Sequence, residues 1–295
     1  MKSFKGIFVA LLTPFNKDNK INEDSVKKLI EFNIAEGVDG FYVGGSTGES
    51  MVMTAEERKQ LFRCVAEAVN GRVTLIAHVG TVSTDAAIDM AKCAESLNYD
   101  AISAVAPFYY SFSAQAIKQY YEDIVASVDH TPMIIYNFPN SGGFTFTAQM
   151  ANEIFKNEKF IGIKHTSNDM FMLQQFKHLD REIVVYNGFD EVMLAGLAMG
   201  ADGAIGSTYN FMAHKFIEIL KLFKAGKIAE AQAVQNDADE IIVEMCKYGV
   251  FACEKQVLTY MGIDMGDCRR PFLPLSAEGK IAMKKVADKI LAENK

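Results

Sequence analysis

Lys164 closes the run Phe160-Ile161-Gly162-Ile163-Lys164, an apolar stretch that finishes in an amine. Desolvating an ammonium is costly, so lysine is seldom buried without a partner. On the inner face of a barrel, burial is expected to favour the neutral amine, a nucleophile toward ketones. The other reading is a lysine that reaches the rim or pairs with a structural carboxylate. Tyr136 ends the apolar run before it. Its phenol is placed either to shuttle a proton for an amine-bound substrate or to sit at the core edge with one wet end. Gly44-Gly45-Ser46-Thr47-Gly48-Glu49 suits an anion cradle: glycines let the backbone approach, and two hydroxyls and successive N–H groups face a carboxylate. It lacks the P-loop lysine and is not GxGxxG, and a tight βα turn would use the same glycines. Asp190-Glu191 pairs two acids, fit to accept from sugar hydroxyls or to sit at a helix N-terminus, or both.

These residues recur at the ends of short apolar runs. The runs are 6–12, 40–43, 73–79, 101–106, 133–136, 160–164, 183–187 and 203–205. Their continuous apolar character predicts parallel strands covered on both faces. Amphipathic segments 22–36, 83–97, 113–128, 147–157 and 190–198 alternate with them. Thr54 with Glu57 predicts a capping box on a further helix, and Gly37 a helix stop. The alternation predicts an α/β fold, a (β/α)8 TIM barrel over 1–210. Helices at 211–225, 227–247 and 277–293 then form a C-terminal appendage, 211–295, within a single domain. A doubly wound open sheet fits less well, since no phosphate-binding glycine loop follows the first run. In such barrels the site forms at the C-terminal strand ends. There stand His78, Phe108-Tyr109-Tyr110, Tyr136-Asn137, Lys164-His165-Thr166-Ser167, Tyr186 to Glu191 and Gly206-Ser207-Thr208.

Composition narrows the remaining classes. With a net charge of −7 and no dense Lys/Arg run, neither nucleic acid nor an anionic membrane is an expected partner. Five cysteines without a CxxC pair argue against a disulfide framework and for a reducing compartment. The histidines do not fall at metal-ligand spacing, so no metal is expected. The N-terminal apolar run is too short for a signal peptide and has no small-residue cleavage site, so a cytoplasmic location is expected.

Across nearly the whole chain, and in order, these motifs resemble the pyruvate-dependent class I aldolases, the dihydrodipicolinate synthase / N-acetylneuraminate lyase family. Gly44 to Glu49 resembles the family's pyruvate-carboxylate loop, Tyr136 its proton-relay tyrosine, and Gly162-Ile163-Lys164 its Schiff-base lysine. Ala77-His78-Val79-Gly80, Lys164-His165-Thr166-Ser167 and Tyr186-Asn187-Gly188-Phe189-Asp190-Glu191 are similar to the sialic acid lyases in particular. The resemblance implies reversible cleavage of N-acetylneuraminate to N-acetylmannosamine and pyruvate, with no cofactor. It assigns Lys164 and Tyr136 to catalysis and Ser46 and Thr47 to the carboxylate. It assigns Thr166, Gly188, Asp190, Glu191 and Ser207 to the polyhydroxyl tail, and Phe251 to that end of the pocket. Tyr109 matches a tyrosine that enters a neighbouring subunit's site, which implies a homotetramer. Ser141 stands where dihydrodipicolinate synthases carry an arginine for a second carboxylate; a neutral hydroxyl cannot replace a bidentate guanidinium. Sialic acid lyases often have a bulky apolar residue there, so another 2-keto-3-deoxy sugar acid is the alternative substrate. A catalytically silent sugar-acid binder is the alternative from a different class.

Overall fold

Eight parallel strands close in chain order into one barrel in the computed structural model, which describes residues 2–142 and 144–293. They are β1 (Gly6–Ala10), β2 (Gly40–Val43), β3 (Thr74–His78), β4 (Ala101–Val105), β5 (Met133–Asn137), β6 (Phe160–His165), β7 (Val184–Asn187) and β8 (Gly203–Gly206). Every predicted run holds a strand. The first run is longer than its strand because the Leu12 N–H leaves the ladder and donates to the side chain of Asn210 (3.1 Å). Closure pairs Gly6 with Gly203. A Cβ at Gly203 would lie 2.0 Å from the Gly6 carbonyl oxygen, so the seam requires glycine there.

Side chains alternate across each strand and make two cores. Phe8, Ala10, Tyr42, Ile76, Val105, Ile134, Tyr136, Tyr186 and Ile205 fill the barrel interior. A larger cluster, including Val9, Leu11, Phe41, Ile135 and Val185, packs between the strands and the surrounding helices. The interior is therefore packed rather than hollow, and the polar groups lie at the strand ends.

Helices Glu23–Glu36, Ala55–Val69, Thr84–Ser96, Ala114–Ala126 and Ala148–Ile154 fall where the sequence predicts them. Asn22, Thr54, Ser83, Ser113 and Thr147 cap them by accepting N–H groups of the first turn, and the Thr54–Glu57 capping box is present in both directions. Residues 190–198 divide into a 3₁₀ turn, Asp190–Val192, and a helix, Met193–Ala198. The helix Met170–Lys177, between β6 and β7, was not expected: over eight residues only Leu173 and Phe176 are buried, too few to show a period.

Tyr209–Lys224, the first helix read as an appendage, follows β8 as the other helices follow their strands. Asn210 near its start donates to Ala10 O (2.7 Å), and Asn33 donates to Asn210 O (3.2 Å). It thus occupies the position of the eighth barrel helix. Ile228–Cys246, Val250–Tyr260 and Ala277–Glu293 lie beyond it. Among the described residues no helix is long and apolar enough to cross a membrane.

Candidate active site

The register of the barrel brings Lys164 and Tyr136 side by side, since the two are direct partners across β5 and β6. Both are buried at the C-terminal mouth, Lys164 at 5% exposure and Tyr136 at 3%. The Lys164 Nζ lies 4.3 Å from the centre of the Tyr136 ring and 4.8 Å from that of Tyr42. Among the described residues no carboxylate pairs with it, which removes the structural ion-pair reading left open by the sequence. Other buried lysines do have acids: Lys215 reaches Asp237 (2.5 Å) and Glu293 (2.7 Å), and Lys255 reaches Glu49. An amine enclosed by aromatic faces, without a counter-charge, is suited to condense with a carbonyl.

Tyr42 was missed in the sequence because it sits inside an apolar strand, two residues before the loop it supports. Its hydroxyl donates to Ser103 Oγ (2.9 Å), and burial holds the phenol well above its ordinary range. His78 is fixed as a neutral ring. Its Nε2 accepts from Val105 N–H (3.2 Å), which leaves Nδ1–H to donate to Gly44 O (3.0 Å). Burial, then the charge of Arg58, holds its pKa well below the usual value. Arg58, also missed, is buried in the helix Ala55–Val69 and donates to His78 O (2.5 Å) and Gly80 O (3.0 Å). A single arginine in an amphipathic helix has no local signal for inward use.

Gly44–Glu49 follows β2 and turns over Tyr42. Gly44 adopts φ +70°, and a Cβ at Gly45 would come within 2.7 Å of the Tyr42 ring. Thr13 Oγ1 donates to Gly48 O (2.8 Å). Thr47 is buried and Ser46 half-buried. The loop ends at Glu49, itself buried, whose carboxylate pairs with Lys255 of Val250–Tyr260 and accepts from Arg269 N–H (2.7 Å). Arg269 in turn grips Glu57 in a two-pronged pair (2.8 and 2.6 Å), holding that carboxyl down at about 2. The C-terminal extension thus clamps the hydroxyl-bearing loop. Lys255→Met should leave Glu49 buried without its counter-charge and lower stability by about 3–5 kcal/mol. A urea unfolding curve superposable on wild type would remove the pair from this role.

A second group forms across β6 to β8. Thr166 is buried, and its Oγ1 has no hydrogen-bond partner among the described residues. Gly188 lies against it, with room for no Cβ: one would fall 1.9 Å from Thr166 Oγ1. Asp190 is buried, and its carboxylate accepts from Thr208 N–H (2.9 Å) and Thr208 Oγ1–H (2.7 Å). Burial raises it to about 6 despite these bonds. Ser207 is half-buried and Glu191 exposed. Phe251 packs on Phe272 with ring centres 5.9 Å apart. Tyr109 stands apart from this group, 86% exposed at φ +86°, edge-on to Tyr110 at 4.9 Å. Glu254, in the same helix as Phe251, is another residue the sequence did not mark, because one acid in a helix resembles a solvated face.

Residues 3–290 match the dihydrodipicolinate synthetase family. A Salmonella paratyphi B protein named N-acetylneuraminate lyase is 40% identical over 293 residues, which cover 99% of each chain. A crystal structure of CdNal from Clostridium difficile, in complex with mannosamine, superposes with a TM-score of 0.95 at 39% identity, covering 98% of this chain and 100% of that one. A Ruminococcus gnavus sialic acid aldolase, solved as a catalytic lysine mutant, superposes with a TM-score of 0.96 at 32% identity over 100% of this chain and 99% of the other.

Proposed function

The chain belongs to the dihydrodipicolinate synthetase family, and from that premise we propose that it is a Schiff-base lyase that cleaves N-acetylneuraminate reversibly to N-acetylmannosamine and pyruvate. The observation that carries the reading is the buried Lys164 amine, flanked by the rings of Tyr136 and Tyr42 and with no paired carboxylate among the described residues.

Lys164 attacks the C2 ketone of the open-chain acid and water leaves, giving an iminium. Ser46 and Thr47 hold the adjacent carboxylate, aided by loop N–H groups. Tyr136, left as a phenolate once its proton has gone to the departing water, takes the proton of the C4 hydroxyl. The C4–O electrons become a carbonyl, the C3–C4 bond breaks, and its electron pair flows into the iminium to make an enamine. The aldehyde product, N-acetylmannosamine, departs. Protonation at C3 and hydrolysis return the amine and release pyruvate. The protein's own amine supplies the electron sink that a metal supplies in class II aldolases, so the reaction requires no cofactor.

Thr166, Gly188, Asp190, Glu191 and Ser207 hold the polyhydroxyl tail, with Phe251 lining that end. Tyr109 completes the site of a neighbouring copy in a homotetramer. Its support is a rim of exposed aromatics, Tyr109 and Tyr110, with Tyr109 in a backbone region that costs a non-glycine residue energy. All five cysteines are unpaired, consistent with a cytoplasmic enzyme.

Pyruvate release from N-acetylneuraminate measured against 2-keto-3-deoxygluconate tests the substrate. Ser141, a small exposed hydroxyl at the mouth, favours a second reading in which the sugar acid differs, and preferential turnover of 2-keto-3-deoxygluconate would establish it. Gly188→Ala should displace Thr166 and raise KM for N-acetylneuraminate roughly tenfold, the worth of one to two hydrogen bonds, while borohydride trapping of pyruvate persists. An unchanged KM would take Gly188 and Thr166 out of the tail site.

A further inference from the structure

Glu254 lies one turn after Phe251 in the helix Val250–Tyr260 and is 0% exposed. Neither of its carboxyl oxygens has an aligned hydrogen bond among the described residues, although the Ser207 hydroxyl at the end of β8 lies within its reach. Buried carboxyls are ordinarily satisfied, so an unsatisfied one beside a residue at the barrel mouth calls for a partner or a task.

The groups around it leave it few roles. Asp190, from the turn after β7, already receives both Thr208 donors. Glu191 and Lys164 complete the charged groups that act on Asp190. Cys253 beside Glu254 and Cys268 from the following loop are thiols that burial pushes up to about 12. Lys255, the next residue, is taken by Glu49. Burial, with the Asp190 charge adding to it, raises the Glu254 carboxyl to about 8.

We propose that the Glu254 carboxylic acid is a positioning residue: it donates its hydrogen to Ser207 Oγ, so that Ser207 turns its own O–H toward the polyhydroxyl tail of the sugar acid. The inference rests on the lyase reading above. In this state the tail meets both kinds of partner: carboxylates of Asp190 and Glu191 that accept, and a Ser207 hydroxyl that donates. Ionised Glu254 instead accepts the Ser207 hydrogen. Asp190, Glu191 and Ser207 then all present lone pairs, and a tail oxygen loses its donor. Binding weakens by about one neutral hydrogen bond, roughly fivefold.

The test compares wild type, Glu254→Gln and Ser207→Ala at pH 7 and pH 9. KM is measured for N-acetylneuraminate in cleavage and for pyruvate in synthesis. Wild-type KM for N-acetylneuraminate should rise roughly fivefold across this range. Glu254→Gln, whose amide donates to Ser207 at either pH, should keep the low value at pH 9. Ser207→Ala should start high and stay level. KM for pyruvate should move alike in all three, because pyruvate does not reach Ser207. Profiles for the sugar acid that superpose in wild type and Glu254→Gln overturn the proposal. If Glu254→Gln does not fold by circular dichroism, Ser207→Ala decides: the wild-type pH rise persisting in it overturns the proposal equally. Borohydride trapping of pyruvate on the same preparations separates the two levels. No adduct on Lys164 and no cleavage sink the lyase reading and this inference with it. Adduct and cleavage with superposable profiles sink only the role of Glu254.

Discussion

Lys164→Ala protein should release pyruvate from N-acetylneuraminate at least roughly 10⁴-fold more slowly than wild type, the scale on which removal of a covalent nucleophile acts. It should also fail to be labelled when borohydride is added with pyruvate. The physical argument is a comparison among buried amines. Lys215 and Lys255 are each engaged by carboxylates, which hold their nitrogens in place and away from any incoming ketone. Lys164 faces two aromatic rings instead, at the mouth where the polar groups gather. Substituting it leaves no carboxylate orphaned, so the fold should survive and activity alone should disappear. Peptide mapping that found the reduced pyruvate adduct on any other lysine would refute the assignment.

Tyr136→Phe should lower kcat by about 10²–10⁴, the usual worth of a positioned acid–base group. Adduct formation with pyruvate should fall far less. The ring is held independently of its hydroxyl. It stacks on Phe138 at 5.7 Å and 10°, and meets Tyr42 and His78 edge-on at 6.0 and 5.9 Å. Phenylalanine can occupy the same place, so Lys164 keeps its surroundings and loses only the proton acceptor for the C4 hydroxyl. Cleavage and trapping that decline in equal proportion would show that Tyr136 shapes the site rather than moving the proton.

Much of this arrangement was legible before any coordinates. Continuous apolar runs marked all eight strands, because a parallel strand buried on both faces has no polar alternation to dilute the signal. The Thr54–Glu57 capping box marked a helix start, because it satisfies local N–H groups whatever the tertiary context. Lys164 and Tyr136 stood out as polar endings to apolar strands. Tyr42 did not, because an inward tyrosine inside a strand is indistinguishable from core. The helices Met170–Lys177 and Val250–Tyr260 were also silent, being too short or too mixed to show a period.

The order of strands, and with it the placement of chemistry at one rim, was determined by the sequence alone, since hydrophobic pattern and capping are properties of neighbouring residues. Which groups meet was decided only by the tertiary structure. The Lys255 clamp on Glu49, the Arg58 hold on His78 and Gly80, and the burial of Glu254 against Ser207 join residues far apart in the chain. A charge in a helix is identical in sequence whether water or a packed interior surrounds it. The difference is made by desolvation, and desolvation depends on what the rest of the fold brings to that point.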